Sequence, residues 1–239
     1  MYSIDVLGKD FSTVVKLFKI LKENMTFIDI KNGRIAQYDD SRRVVYDINL
    51  VDILGELTFN FHDMKRKIKL FETFRDDVKI EVDDKSLIIK DGYSKLTINK
   101  TDSSYCQTPY IESIDNIYDI FYKNCILKTS IPKIISDRIR VALQIFDIDS
   151  LKLKSKDGKA SIMVDSLSKD QNMVFIDNID MVENIDFEMF FPSDAFMIEN
   201  EEDVSFSVHA EKKGQFLFNY NVLFDGIDIN IFGLTYENN

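Results

Sequence analysis

Cysteine, histidine and glycine are scarce in this 239-residue chain, and each shortage excludes a class of function. Its two cysteines, Cys106 and Cys125, have neither metal-ligand nor redox spacing, so they read as unpaired thiols suited to a reducing cytoplasm. Two histidines, His62 and His209, leave little for a metal centre or acid–base chemistry, and both are expected to be structural. With eight glycines, no G-x-x-x-x-G-K and no G-x-G-x-x-G, a phosphate-cradling nucleotide loop is not expected. Apolar runs are only a few residues long, far short of the ~20 that cross a bilayer. Asp5, Lys9, Asp10, Lys16 and Lys19 interrupt any secretory leader. What remains is an ordinary globular composition, 45% hydrophobic and 30% charged. Its 41 acidic and 30 basic residues give a net charge of −11, which argues against a surface that hugs nucleic acid or anionic lipid all over.

The two halves resemble each other. Phe27–Ile30, Asn32-Gly33 and Arg34–Ala36 read as strand, tight turn and strand, and Leu151–Lys154, Asp157-Gly158 and Lys159–Ile162 repeat the pattern 125 residues on. Asn-Gly and Asp-Gly enter type I′ hairpins readily because both central residues need positive φ. Before each hairpin comes a helical spacing: Val14, Phe18 and Leu21, then Ile139, Leu143 and Phe146, again 125 apart. Asp91-Gly92 and Asp225-Gly226 mark a later turn in each copy.

Each half therefore reads as a short strand, a helix, three or four antiparallel strands, a shorter helix and three more strands. The shorter helices are expected near 62–71 and 193–200, with Asp63 and Ser193 as natural caps. Alternation such as Lys79-Ile80-Glu81-Val82 and Ser205-Phe206-Ser207-Val208 fits sheets covered on one face. The expected class is α+β, with two similar domains of antiparallel sheet and helices on one side. The domains are placed at 1–100 and 125–239, joined by a linker at 101–124.

Charge is distributed unevenly. Segments 9–22, 62–71 and 131–146 carry +3, +3 and +2, which leaves −19 for the rest. Lys16, Lys19 and Lys22 stand roughly opposite the apolar stripe of the first helix, and Lys65, Arg66 and Lys69 oppose that of the second. Lys133 and Arg140 share a face of the third, with Arg138 directed elsewhere. Lysine on one helix is usually just a solvated face, but three such helices on an acidic body attract phosphate at one place. Segment 193–203 departs from this, at −5 with no basic residue.

The doubled plan, the basic helices and the stretch from Phe18-Lys19-Ile20-Leu21 through Asn24-Met25-Thr26-Phe27-Ile28 to Asn32-Gly33-Arg34-Ile35 resemble a DNA sliding clamp. The likeness is to the polymerase processivity factor of tailed bacteriophages, related in fold to proliferating cell nuclear antigen. It implies a non-enzymatic homotrimeric ring around double-stranded DNA, bound without sequence preference. It also implies a DNA polymerase and an ATP-dependent clamp loader as partners, and a place in the cytoplasm of an infected bacterial cell. Lys16, Lys19, Lys22, Lys65, Arg66, Lys69, Lys133 and Arg140 are the expected DNA contacts. Ammonium groups suit sliding, because they act as mobile point charges with no base readout. The acidic fourth helix means either an unevenly lined channel or a helix turned away from it.

The linker is too apolar for an idle tether. One reading packs it as an edge strand or short helix. The other, implied by the resemblance, has it border a hydrophobic pocket for a client peptide with Tyr110, Ile111 and Ile114 at the rim, and both can hold together. The resemblance also implies subunit contacts between an edge strand with Tyr93, Leu96 and Ile98 and a neighbour's strand with Met173, Val174 and Phe175. Asp147/Asp149, Asp115/Asp119 and Asp225/Asp228 read as turn and cap residues rather than a Mg²⁺ nuclease site, so neither a catalytic residue nor a metal or cofactor is expected. A two-domain virion structural protein is the alternative reading.

Overall fold

The computed structural model describes residues 2–102, 111–112, 114–146, 150–165, 172–212 and 215–236. The chain divides into two compact units, residues 1–42 with 46–112, and residues 43–45 with 113–239. The first unit runs β1 (Tyr2–Val6), α1 (Gly8–Leu21), β2 (Phe27–Lys31), β3 (Arg34–Tyr38), β4 (Val44–Asn49), α2 (Val51–Leu54), β5 (Phe59–His62), α3 (Met64–Phe71), β6 (Val78–Val82), β7 (Ser86–Lys90) and β8 (Lys95–Asn99). After α4 (Ile114–Lys123) the plan repeats as β9 (Cys125–Ile131), α5 (Lys133–Phe146), β10 (Ser150–Lys156), β11 (Lys159–Asp165), β12 (Asn172–Asp180) and β13 (Phe187–Pro192). A 3-10 turn at Ser193–Phe196 then leads to β14 (Val204–Lys212), β15 (Gln215–Phe224) and β16 (Ile227–Tyr236).

Strand order repeats as well. The first unit has sheets ordered β1-β6-β7-β8 and β5-β2-β3-β4, and the second has β9-β14-β15-β16 and β13-β10-β11-β12. Three hairpins turn as their dipeptides require: Asn32-Gly33, Asp157-Gly158 and Asp225-Gly226 all have positive φ at both positions. Gly33 is constrained twice, since a Cβ there would also lie 2.0 Å from the Gly55 carbonyl oxygen. Asp91-Gly92 turns differently. Asp91 Oδ1 accepts from the amides of Tyr93 (2.8 Å) and Ser94 (2.5 Å), so a side chain closes the turn and β8 starts at Lys95.

Aromatic side chains fill both cores. In the first unit Phe11 and Phe18 of α1 meet Phe71 of α3 edge-on or tilted, and Phe61 joins them at 5.9 Å from both Phe18 and Phe71. In the second, Phe191, Phe196, Phe206 and Phe218 cluster with Tyr220, all fully buried. Between β2 and β3 the main-chain ladder covers only Ile30 with Ile35 and Lys31 with Arg34. Beyond it the fully buried Gln37 side chain bridges the strands, accepting from Asp29 N (2.8 Å) and donating to Phe27 O (2.9 Å).

Three expectations change. The helix expected at 193–200 is only a single 3-10 turn. Its continuation would gather Glu199, Glu201 and Glu202 at a helix C-terminus, against the dipole, and Asn200 instead donates to Glu202 O at 2.5 Å. Asp63 does not cap α3 with its side chain. It sits at φ 61°, in the left-handed region, while its carbonyl accepts from Lys67 N. Phe146, expected on the core face of α5, is exposed at the helix end. The linker forms α4 at its C-terminal end, and Cys106, Tyr110, Asp147 and Asp149 lie outside the described residues.

Candidate nucleic-acid interface

In the first unit most of the expected cations stand where the amphipathic pattern puts them, Lys22 being half-buried at the end of α1. Phe11, Val14, Leu17, Phe18 and Leu21 face the core, leaving Lys9, Ser12, Lys16 and Lys19 as an exposed stripe along α1. On α3, Met64, Ile68 and Phe71 are buried and Lys65, Arg66 and Lys69 are exposed. The two helices pack together, so both stripes belong to one surface. Lys19 pairs with Glu72, Lys22 lies 3.6 Å from Glu23, and Lys65 lies 3.8 Å from the same carboxylate. These are solvent-screened contacts, weak enough to exchange for a phosphate. Lys67 turns the other way. It donates to His62 O, lies over the Phe61 ring, and burial lowers its pKa. Lys9 was missed at the sequence level, although its seven-residue spacing from Lys16 puts both on one face.

The second unit is built differently. Lys133 Nζ donates to Asp137 Oδ2 at 2.6 Å, and Arg140 Nη2 donates to Asp137 Oδ1 at 2.8 Å. These two cations hold the Asp137 carboxyl below the usual carboxylate range, the Lys133 hydrogen bond contributing most. Arg140 is only 16% exposed and also lies 3.9 Å from Glu199. The cause is positional, since Arg140 corresponds to Val15 of the first copy, which is buried. The exposed arginine of α5 is Arg138, the one expected to point elsewhere. Beside it stand the apolar Ile134, 61% exposed, and Val141, 48% exposed. Asp203 Oδ1 accepts from Lys133 N at 2.9 Å, which brings the acidic segment 199–203 to the start of α5.

Among the expected contact residues, Tyr93 is 93% exposed but lies in the turn before β8. Leu96 is half-buried and Ile98 buried, because alternation turns Lys95, Thr97 and Asn99 outward instead. On β12, Met173 and Val174 are exposed and Phe175 half-buried. Both β8 and β12 stand at an end of their sheet. A groove of about 510 Å³ lies between α3 and β8, lined by Arg66, Lys67, Leu70, Leu96 and Ile98. In the linker, Ile111 N donates to Ala36 O at 2.7 Å, beside the gap that Gln37 spans, and Ile114 is only 3% exposed. Ile114 therefore serves packing rather than an open rim. Tyr118 of α4 meets Phe232 edge-on at 5.1 Å, over a hollow of about 460 Å³ that also reaches His209 and Asn221. Among the described residues, no group of three or more histidine, cysteine, aspartate or glutamate side chains is placed to hold a metal ion. Among the same described residues, no helix is long and apolar enough to cross a membrane.

No family model matches the sequence, and no curated protein matches it. Solved structures do. The PCNA2–PCNA3 complex of Sulfolobus tokodaii is 16% identical over 98% of this chain and 99% of that one, with a TM-score of 0.62. A. fulgidus PCNA, solved with the C-terminal region of FEN-1 bound, is 15% identical over 100% and 99%, with a TM-score of 0.63. The Helicobacter pylori beta clamp, bound to a DNA ligase peptide, is 13% identical over 100% of this chain and 67% of that one, with a TM-score of 0.64. The likeness establishes the fold, two repeated domains of the sliding-clamp type.

Proposed function

We propose that this chain, having the sliding-clamp fold, is a non-enzymatic processivity clamp. Copies close into a ring around duplex DNA and tether a DNA polymerase to it. The observation that carries this reading is the exposed cationic face of α1 and α3 on a chain of net charge −11. A ring that slides needs phosphate contacts that are numerous, individually weak and blind to sequence, and exposed lysines supply them. Replacing Lys16, Lys19, Lys65 and Lys69 together by Glu should leave the fold intact and abolish processive synthesis. Normal processivity of that variant at moderate salt would sink the reading.

The ring is a head-to-tail trimer, which gives six repeated domains from two-domain subunits. Coverage of 67% of the beta clamp chain is what two domains of a three-domain subunit would give. β12 and β8 each stand at an end of their sheet, so β12 of one subunit can pair along β8 of its neighbour. The exposed Met173, Val174, Ile145 and Phe146 supply the apolar side of that contact.

The hollow beneath α4, walled by Tyr118 and Phe232, is the candidate seat for a client peptide. The setting proposed from the sequence resemblance alone is the cytoplasm of an infected bacterial cell, with an ATP-dependent loader placing the ring on DNA.

A further inference from the structure

Helices α1 and α5 are both 14 residues long and correspond position by position at an offset of 125. Four pairs keep the same burial: Phe11 and Ser136, Val14 and Ile139, Leu17 and Ala142, and Phe18 and Leu143 are all buried, while Val15 and Leu21 give way to half-buried Arg140 and exposed Phe146. Their exposed faces do not match in chemistry. Lys9 corresponds to Ile134, Lys16 to Val141 and Lys19 to Gln144, so three exposed cations have become two aliphatic side chains and a neutral amide. Of the three basic residues on α5, Lys133 and Arg140 are both held by Asp137, which leaves Arg138 as the exposed cation not tied to that carboxylate. Where α3 contributes Lys65, Arg66 and Lys69 to the first unit, the second has a short 3-10 turn followed by exposed Glu199, Glu201 and Glu202.

We infer that the duplex is gripped by the first unit alone, through the α1–α3 face of Lys9, Lys16, Lys65, Arg66 and Lys69, while the α5 face of the second unit makes no phosphate contact. The inference rests on the clamp reading above and divides its DNA surface in two. Each cation that neutralises a phosphate releases condensed counterions, whereas Ile134 and Val141 release none. Carboxylates within a Debye length of about 8 Å of a phosphate repel it, so the 199–203 segment opposes contact on its own side.

The test compares one exposed arginine from each face. Arg66→Glu and Arg138→Glu are made in the full-length chain, and binding to a fluorescent linear duplex is followed by anisotropy across a salt series. Arg66→Glu should weaken binding about tenfold or more and lower the log–log salt slope by about one, as loss of a phosphate contact requires. Arg138→Glu should leave the slope unchanged and the affinity within about threefold. If Arg138→Glu costs as much as Arg66→Glu, the one-sided grip is wrong while the clamp reading stands. If neither reversal moves the slope, no helix face holds phosphate and the clamp reading falls too.

Discussion

Arg140 donates through Nη2 to Asp137 Oδ1 at 2.8 Å, less than one helical turn away, while its Nη1 is buried with no hydrogen-bond acceptor among the described residues. A guanidinium that is part buried and part unsatisfied depends on the carboxylates beside it, Asp137 first and Glu199 more distantly. Asp137→Ala should therefore destabilise the protein by about 1–3 kcal/mol, read from the urea midpoint. Arg140→Met removes the charge and keeps the volume, and should be close to neutral. A large loss in Arg140→Met would show that the cation itself is needed.

Arg34 and Asp47 form a two-toothed pair between β3 and β4, at 2.5 and 2.7 Å, with Asp47 nearly buried. Asp47→Ala should cost about 2–3 kcal/mol in thermal or urea unfolding, less than a fully buried pair because Arg34 is partly exposed. A cost below about 0.5 kcal/mol would mark the pair as incidental.

Ring closure predicts a mass. Light scattering over a dilution series should rise toward three times 27.9 kDa at high concentration. Val174→Asp, which places a charge on the exposed edge of β12, should hold the protein at the monomer mass. A constant dimer would contradict the proposed assembly.

His209 supplies a pH dependence. Burial, aided by Lys128, pushes its pKa from 6.5 down to about 4. The unfolded chain then binds the proton before the folded one does. Stability is complete above about pH 6.5 and falls as pH drops toward 4, by up to about 3 kcal/mol. The carboxyls of Glu81, Asp83 and Asp137 are held low, by the Lys90 hydrogen bond, backbone amides and Lys133 respectively. Their contribution is lost as pH falls from the unfolded values, 4.5 for the glutamate and 3.8 for the aspartates, through the lowered folded ones. His209→Gln should flatten the curve between pH 6.5 and 4; an unchanged slope there would exonerate the histidine.

Much of this architecture was legible in the residues. The helix periods of Val14, Phe18 and Leu21 and the turn dipeptides at Gly33 and Gly158 depend on local physics, and the repeat confirms each from the other copy. Side-chain partners are not local. Arg140 reads as an exposed cation until the helix phase is fixed against Val15, and Asp137 gives no sign in sequence that it binds two neighbours. The 193–200 segment failed for a readable reason, since its acidic end opposes a helix. Ile98 was misplaced because strand alternation says which residues share a face, not which face meets the core.

Gln37 holds β2 to β3 with an amide where their main chains no longer pair. That rung needs a donor and an acceptor on the same side-chain group. Hydrolysis to a carboxylate would keep the bond to Asp29 N but set an anion against the Phe27 carbonyl, inside the sheet. Burial shields the amide in the folded chain, so ammonia can be lost only during an opening. The lesion would then be irreversible, and the rare opening in which it occurs would leave a molecule less able to close again, a chemical clock set by one buried glutamine.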